Sequence, residues 1–444
     1  MNDCRFASAF SALEQWLTPH LHADEQFTLW YAAEDSQFVR FNHAKVRQAY
    51  PVLQIELTLR LIRDERHSTR HLNLTGDIEQ DCLLLADTLT QLRAVLDVLP
   101  ADPYLLLNTD SWVLERRVPG NSPPLHEVIE QICGLSEGLD MVGIYAGGSL
   151  YRGFSDSWGA RGWHACSNNV FDWSLFDPSG EAVKSTYAAA NWDVLALAQA
   201  FAQARVQLKH LSTPHIALKP GQYRAYLAPA AVNELLGMLA WGAFSAKAFA
   251  NGQSPFQHLL SGTQHLSPLI NLRNEPSTGL EPDFGPEGNQ TRDLDLIAHG
   301  TLVGQLINAR SAAEYGLTAN GADTHEIPHS LSMAPGELPS ADVLHALGTG
   351  LYISNVWYLN YSDESAARLT GMTRFATFWV ENGQIVAPVQ TMRFDDSVYN
   401  MLGANLLALT RERALFTSTS TYERRDLGSC LLPGALLGAL TLTL

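Results

Sequence analysis

The chain has little cysteine, no cluster of basic residues and no apolar run long enough to cross a bilayer, and each shortage removes a class of function. Its five cysteines, Cys4, Cys82, Cys133, Cys166 and Cys430, are widely spaced and odd in number among 444 residues. That spacing argues against a disulfide framework and against a cysteine-based metal site, so buried or incidental thiols are expected. The formal net charge is −17. With no local group of Lys and Arg to displace counterions, neither nucleic acid nor an anionic membrane is an expected partner. The apolar segment Leu431 to Leu444 is interrupted by Pro433-Gly434 and falls short of the roughly 20 residues a membrane helix needs, so it reads as a closing strand. Met1 to Phe6 show no basic region followed by an apolar run, and the expected location is the cytoplasm. Phosphate-binding G-x-x-x-x-G-K-S/T and nucleophile-elbow G-x-S-x-G patterns are missing, and Gly348-Thr-Gly-Leu-Tyr is too short for a dinucleotide fingerprint.

What is present describes an ordinary globular protein: 46 % apolar residues, with 32 Gly and 21 Pro spread along the chain. The length suits two or three domains. Helices are expected over Phe6 to Leu17, Asp77 to Leu99 and Pro124 to Leu135, and from an N-cap at Asn191 to His210. Strands are expected at Phe27 to Ala33, Gln37 to Phe41, Met141 to Tyr151 and Gly162 to Phe176. The clearest is Gln54 to Ile62, where Ile55, Leu57, Leu59 and Leu61 alternate with polar neighbours. Leu211 to Gly221 is the candidate linker. After it come a strand, Gln222 to Leu227, and a long helix, Ala230 to Ala250, closed by Asn251-Gly252. Asn382-Gly383 marks a hairpin. The fold class expected is α+β, with an N-terminal sheet-and-helix domain over 1–212. A mostly antiparallel β domain follows over 213–444, with one long helix near its start.

Few residues are spaced for catalysis. His325-Glu326-Ile327-Pro328-His329 matches the zincin pattern, in which two His at i and i+4 share a helix face with a Glu base. Pro328 disfavours helix at Ile327, and Asn320-Gly321 before it is loop composition. A solvated loop leading into a strand at Ser330 to Met333 is therefore expected, with zinc on His325 and His329 as the alternative. His67 and His71 on a strand would stand about 13 Å apart, too far for one metal. His20 and His22 have no partner of suggestive spacing. Asp395-Asp396 would point to opposite faces of a strand. Aromatic residues concentrate at Trp357-Tyr358-Leu-Asn-Tyr361; on an edge strand they would flank a peptide added by backbone pairing.

Several segments, in order along essentially the whole chain, resemble the TldD/PmbA family. They are Phe38-Val-Arg-Phe-Asn-His-Ala-Lys-Val-Arg-Gln, Gly221-Gln-Tyr-Arg-Ala-Tyr-Leu-Ala-Pro-Ala-Ala-Val-Asn-Glu-Leu-Leu, Phe284-Gly-Pro-Glu-Gly-Asn-Gln-Thr, Gly350-Leu-Tyr-Ile and Phe378-Trp-Val-Glu-Asn-Gly-Gln-Ile-Val-Ala-Pro-Val. The resemblance implies that the TldD-type subunit carries His-Glu-x-x-x-His on the helix after the strand and proline, with a cysteine completing a zinc site for peptide hydrolysis. Counted back from Asn251, the matching positions here are Gly237, Met238 and Gly242. No His occurs between His215 and His258, and Cys430 reads as a packed thiol. The chain is therefore closest to the TldE branch, expected to hold no metal or cofactor of its own and no catalytic residue. The implied role is a noncatalytic subunit whose partner, a TldD-like paralogue with His-Glu-x-x-x-His, carries the zinc. An unfolded peptide is the implied substrate, with Asn355, Trp357, Tyr358, Asn360 and Tyr361 as its candidate edge. A homodimer is compatible with the same resemblance. The competing readings are a self-contained metallopeptidase using His325, Glu326 and His329, and a stand-alone peptide-binding protein.

Overall fold

Alternation in the segment around Ile55 has its expected consequence: Ile55, Leu57, Leu59 and Leu61 are all buried on one face of a long strand. The computed structural model describes residues 3–443. In the N-terminal half the strands are β1 (Gln26–Asn42), β2 (Lys45–Arg63), β3 (Arg66–Asn73), β4 (Val113–Val118), β5 (Asp140–Asp156), β6 (Arg161–Phe176) and β7 (Ala182–Ala189). They form one sheet of order β3-β2-β1-β5-β6-β4, with β7 on β6. The turns β1–β2 and β2–β3 are two residues long, and His43, Ala44, Asp64 and Glu65 all take positive φ, the geometry that matches strand twist in tight hairpins.

Four helices pack on this sheet: α1 (Asp3–Leu17), α2 (Ile78–Leu96), α3 (Leu125–Leu135) and α4 (Val194–Leu211). Phe6, Phe10, Leu13 and Leu17 of α1 share a core with Leu85, Leu89 and Leu92 of α2 and with Leu29 and Tyr31 of β1. Further along β1, Val39 and Phe41 meet Val128 of α3 and Phe201 of α4. These odd-numbered β1 residues face the helices, so even-numbered Trp30, Glu34 and Ser36 face the C-terminal half. Asp77, expected as the first residue of α2, is its N-cap, accepting from the N–H groups of Glu79 and Gln80. The cap of α4 is Asp193, whose carboxylate accepts from the N–H groups of Leu195 and Ala196; Asn191 instead forms a bridge with Asn121.

β1 is a single strand where composition suggested two. Glu34-Asp-Ser reads as a turn, yet Glu34 and Ser36 are buried. Arg425, from a loop of the C-terminal half, donates its N–H to Glu34 Oε2 at 2.7 Å and its guanidinium to Ser36 Oγ at 3.2 Å. A tertiary partner thus outweighs the local turn preference.

The second sheet comprises β8 (Gly221–Leu227), β9 (Leu272–Asn274), β10 (Leu294–Ala298), β11 (Thr301–Leu302), β12 (Ser330–Met333), β13 (Gly350–Ile353), β14 (Trp357–Asp363), β15 (Arg368–Met372), β16 (Thr377–Glu381), β17 (Gln384–Pro388), β18 (Arg393–Ser397), β19 (Leu406–Thr417) and β20 (Ser429–Leu442). Its backbone order is β11-β10-β9-β12-β20-β8-β13-β16-β17, and β14-β15-β18 join through β20. The apolar C-terminal run is therefore a central strand, pairing with β8, β12, β18 and β19. Asn382 and Gly383 take φ of 50° and 77° in the β16–β17 turn, as the Asn-Gly pair predicts. The class is α+β, with no closed barrel. Among the described residues no helix is long and apolar enough to cross a membrane.

The long helix expected over Ala230 to Ala250 is broken. α5 (Pro229–Leu239) ends at Ala240, and α6 (Ala246–Ala250) starts anew from Ser245. Between them Gly242 sits at φ +101° and Trp241 points to solvent, while Ala243 and Phe244 return to the core. The buried Glu326 carboxylate fixes the restart, accepting from Ser245 Oγ at 2.5 Å and from the Lys247 N–H at 2.9 Å. Leu235, Leu236, Leu239 and Phe244 are buried as their periodicity requires.

Candidate peptide-binding edge and the helix beside it

Helix α5 is entered through Ala228-Pro229, where the proline's missing N–H costs nothing. It carries one charged residue, Glu234, which is also the only charged residue between Arg224 and Lys247. Glu234 Oε2 accepts the Val356 N–H at 2.7 Å, and the Asn355 side chain bonds the same carboxyl. Burial pushes its pKa up to about 7, against those hydrogen bonds and the pull of Lys184; nearby Asp172 adds to the rise. Lys184 and Asp172 belong to β7 and β6, so this carboxyl lies where the two halves meet. Glu234 was not among the candidate residues; its isolation as a lone charge in an apolar helix was the available signal.

The Asn355–Tyr361 segment lies beside this helix. Among the described strands β14 pairs only with β15, leaving its other edge unpaired. Trp357, Tyr358 and Asn360 are exposed and Tyr361 is half-buried, its hydroxyl donating to the Met238 carbonyl at 3.0 Å. Asn355 differs from the expectation: it is buried and precedes the strand, held against Glu234. The edge is irregular at its start, where Tyr358 takes φ +56° and the register shifts between Trp357 and Asn360. Such bulges discourage indiscriminate pairing; the register shifts again between Tyr361 and Asp363, so Asn360 and Tyr361 are the regular stretch between the two. Arg374 lies over the Trp357 ring, 4.6 Å from its centroid.

The His325–His329 string is not helical. Glu326 takes φ +53° and is buried, its second oxygen accepting the Asn308 N–H at 3.0 Å. Its three hydrogen bonds join the α6 start to the 308 loop. His325 is exposed. His329 turns the other way, with Nε2 3.1 Å from Asp323 Oδ2 and Nδ1 3.9 Å from Glu281. Burial disfavours its charge, but Asp323 and Glu281 prevail and push its pKa up to about 9. The remaining candidates have structural partners. His67 contacts Asp102, His71 bonds Thr58, and His20 stacks on Trp16. Asp395 pairs with Arg368, while Asp396 accepts from the Thr441 N–H. Burial pushes the Cys430 thiol up to about 11 and that of Cys166 up to about 12, which makes both poor nucleophiles at neutral pH.

A family model, the PmbA/TldA metallopeptidase C-terminal domain, matches residues 220–443. The chain belongs to the TldD/PmbA family. It is 28 % identical over 152 residues to the Metalloprotease PmbA of Escherichia coli, covering 34 % of this chain and 31 % of that protein. It is also 28 % identical over 130 residues to a Metalloprotease PmbA homolog of Haemophilus influenzae, covering 28 % and 27 %. The matched segments thus span about a third or less of those relatives. The fold is shared with TldE from Thermococcus kodakarensis, with TM-score 0.75, 15 % identity, and 98 % of this chain and 100 % of that one covered.

Within the TldD/PmbA frame, His-Glu-x-x-x-His can be laid on α5 with its Glu retained, giving Asn233-Glu234-Leu-Leu-Gly-Met238. Of the positions matched from the sequence, Gly237 and Met238 lie on the last turn of α5, and Gly242 lies beyond its end. Both histidine positions are then filled by groups unsuited to zinc, a neutral amide and a thioether. Met238 packs against the core, and the Glu234 carboxyl is engaged by Val356. The residues present do not suit the metal. Among the described residues, no three His, Cys, Asp or Glu side chains converge to hold one.

Proposed function

We propose that this chain is a noncatalytic, TldE-like subunit of a metallopeptidase, with zinc supplied by a partner that carries His-Glu-x-x-x-His. The observation that carries this reading is α5, the helix entered through Pro229, which contains one glutamate, Glu234, and no histidine. Its contribution is to enclose and align an unfolded peptide. The unpaired edge of β14 supplies backbone donors and acceptors, and Asn360 and Tyr361 lie between the two register shifts of its pairing with β15. Trp357 and Tyr358 add exposed aromatic surface beside it.

The self-contained alternative at His325, Glu326 and His329 is disfavoured by the commitment of Glu326 to three hydrogen bonds. Metal analysis and co-purification test the proposal together. The chain alone is expected to contain no stoichiometric zinc and to leave an unfolded peptide intact, and addition of the histidine-bearing paralogue is expected to give a stable complex that cleaves it. Zinc that disappears on His325→Ala would overturn the reading, as would a paralogue that neither binds this chain nor gains activity from it.

A further inference from the structure

Away from β14, the two halves of the molecule enclose a cavity of about 130 Å³. Its walls are mostly apolar: Trp30 comes from β1, and Phe284, Leu294, Leu306 and Ile327 from the C-terminal half. Arg116 of β4 makes the cavity rigid. Its guanidinium donates to the carbonyls of Pro276, Ser277, Gly279 and Glu281 at 2.6 to 3.0 Å and to the Asp283 carboxylate at 2.9 Å. Trp112 Nε1 donates to the Gly288 carbonyl at 3.0 Å, and Phe284 packs against both Trp112 and Trp30. The loop that forms one wall is thus held in shape before anything binds, which lowers the entropic cost of binding.

The lining also holds polar groups that are incompletely satisfied. Ser330 is only 3 % exposed, and its Oγ has no hydrogen-bond partner. Glu287 Oε2 is also enclosed without one. The Glu281 carboxylate has His329 Nδ1 at 3.9 Å, beyond hydrogen-bond range, and feels the Arg152 charge as well. His329 already donates its other nitrogen to Asp323. Of the cationic residues on the lining, His329 is thus engaged and Arg292 is exposed. Burial raises the pKa of both Glu281 and Glu287, with His329 and Arg152 countering at Glu281 and Arg60 at Glu287. Buried acceptors without donors are costly, and a ligand that brings donors and positive charge would relieve them.

We propose that this cavity is a binding site for a small primary amine with an apolar body, its ammonium group held by Glu281 and Ser330 and its body against Trp30 and Phe284. The size suits one ring, since an engineered cavity of about 150 Å³ accepts benzene. An ammonium carries three donors and no acceptor, which matches a lining that offers carboxylate and hydroxyl oxygens. The site is independent of the peptide edge and of any zinc-bearing partner.

Calorimetry on the purified full chain tests this with three probes of one shape: phenethylamine, 2-phenylethanol and 3-phenylpropionate. The amine is expected to bind at least tenfold more tightly than the alcohol, and the acid not at all. Glu281→Gln should weaken the amine tenfold or more while leaving the alcohol unchanged, and Ala322→Leu, which fills the apolar wall, should remove binding of both. Equal affinity for amine and alcohol overturns the proposal, as does absence of amine binding at millimolar concentration or amine binding indifferent to Glu281→Gln. If that variant does not fold, as judged by circular dichroism, the three-probe comparison on the unmodified chain and on Ser330→Ala still decides.

Discussion

Helix α5 and the 325–329 loop each carry one glutamate, in opposite settings. The loop has two histidines and a glutamate at zincin spacing but lacks the helix; α5 has the helix and the glutamate but lacks the histidines. In the loop the glutamate serves stability, since Glu326 is buried and accepts from Ser245, Lys247 and Asn308. In the helix the glutamate stands at a junction between the two halves, with one backbone N–H as its main partner and its protonation held near neutrality. A spacing motif states which side chains are available, and only the backbone conformation states whether they converge.

The contrast can be broken most directly at Glu326. Glu326→Ala is expected to cost about 3 kcal/mol or more, because it strands two backbone N–H groups and a hydroxyl in the interior; a denaturant midpoint equal to the parent's would show that the carboxylate is not structural. Glu234→Gln keeps an acceptor for Val356 and removes only the charge. A carboxyl whose folded pKa is raised to about 7 binds protons more tightly folded than unfolded, so the parent loses stability as pH rises from its unfolded value through about 7. The variant is therefore expected to be more stable than the parent by ~1–2 kcal/mol at pH 8 and nearly equal at pH 4. Thermal melts at the two pH values that differ equally from the parent would remove the distinction from Glu326.

His329 has the opposite sign. Its folded pKa of about 9 makes its ion pairs stabilising below its unfolded value near 6.5, with that stability lost as pH rises through 9. Because the side chain is 35 % exposed, solvent screening limits His329→Gln to about 1 kcal/mol at pH 6, shrinking above pH 9; a pH-independent loss would mean that packing, not charge, is at stake. The smallest effect is expected at the edge. Tyr358→Ser, at a residue 78 % exposed, should change stability by less than ~0.5 kcal/mol while weakening peptide binding by the assembled complex. A large drop in unfolding temperature would mean that Tyr358 belongs to the fold and not to a binding surface.

Much of the fold was legible because it rests on local periodicity. The period-2 face of β2, the Asn382-Gly383 turn and the apolar stripe of α5 need no partner to be recognised. Features set by distant contacts were not legible. Arg425 holds the Glu34–Ser36 segment extended, and Glu326 restarts the chain at Ser245 after α5; both partners lie far away in sequence. The edge at β14 was foreseen from its aromatics, but Asn355 was misjudged, because its burial depends on Glu234. The cavity left no trace in the sequence, since Trp30, Phe284, Glu281 and His329 come from separate segments.

What the sequence determined alone is the α+β class, the family frame and the absence of histidine from α5, because periodicity, segment order and residue identity are properties of the chain itself. Tertiary structure decided what each glutamate does. Whether a carboxylate accepts several hydrogen bonds, as at Glu326, or is poised, as at Glu234, depends on the donors that folding brings within about 3 Å of it, and those donors are not its sequence neighbours.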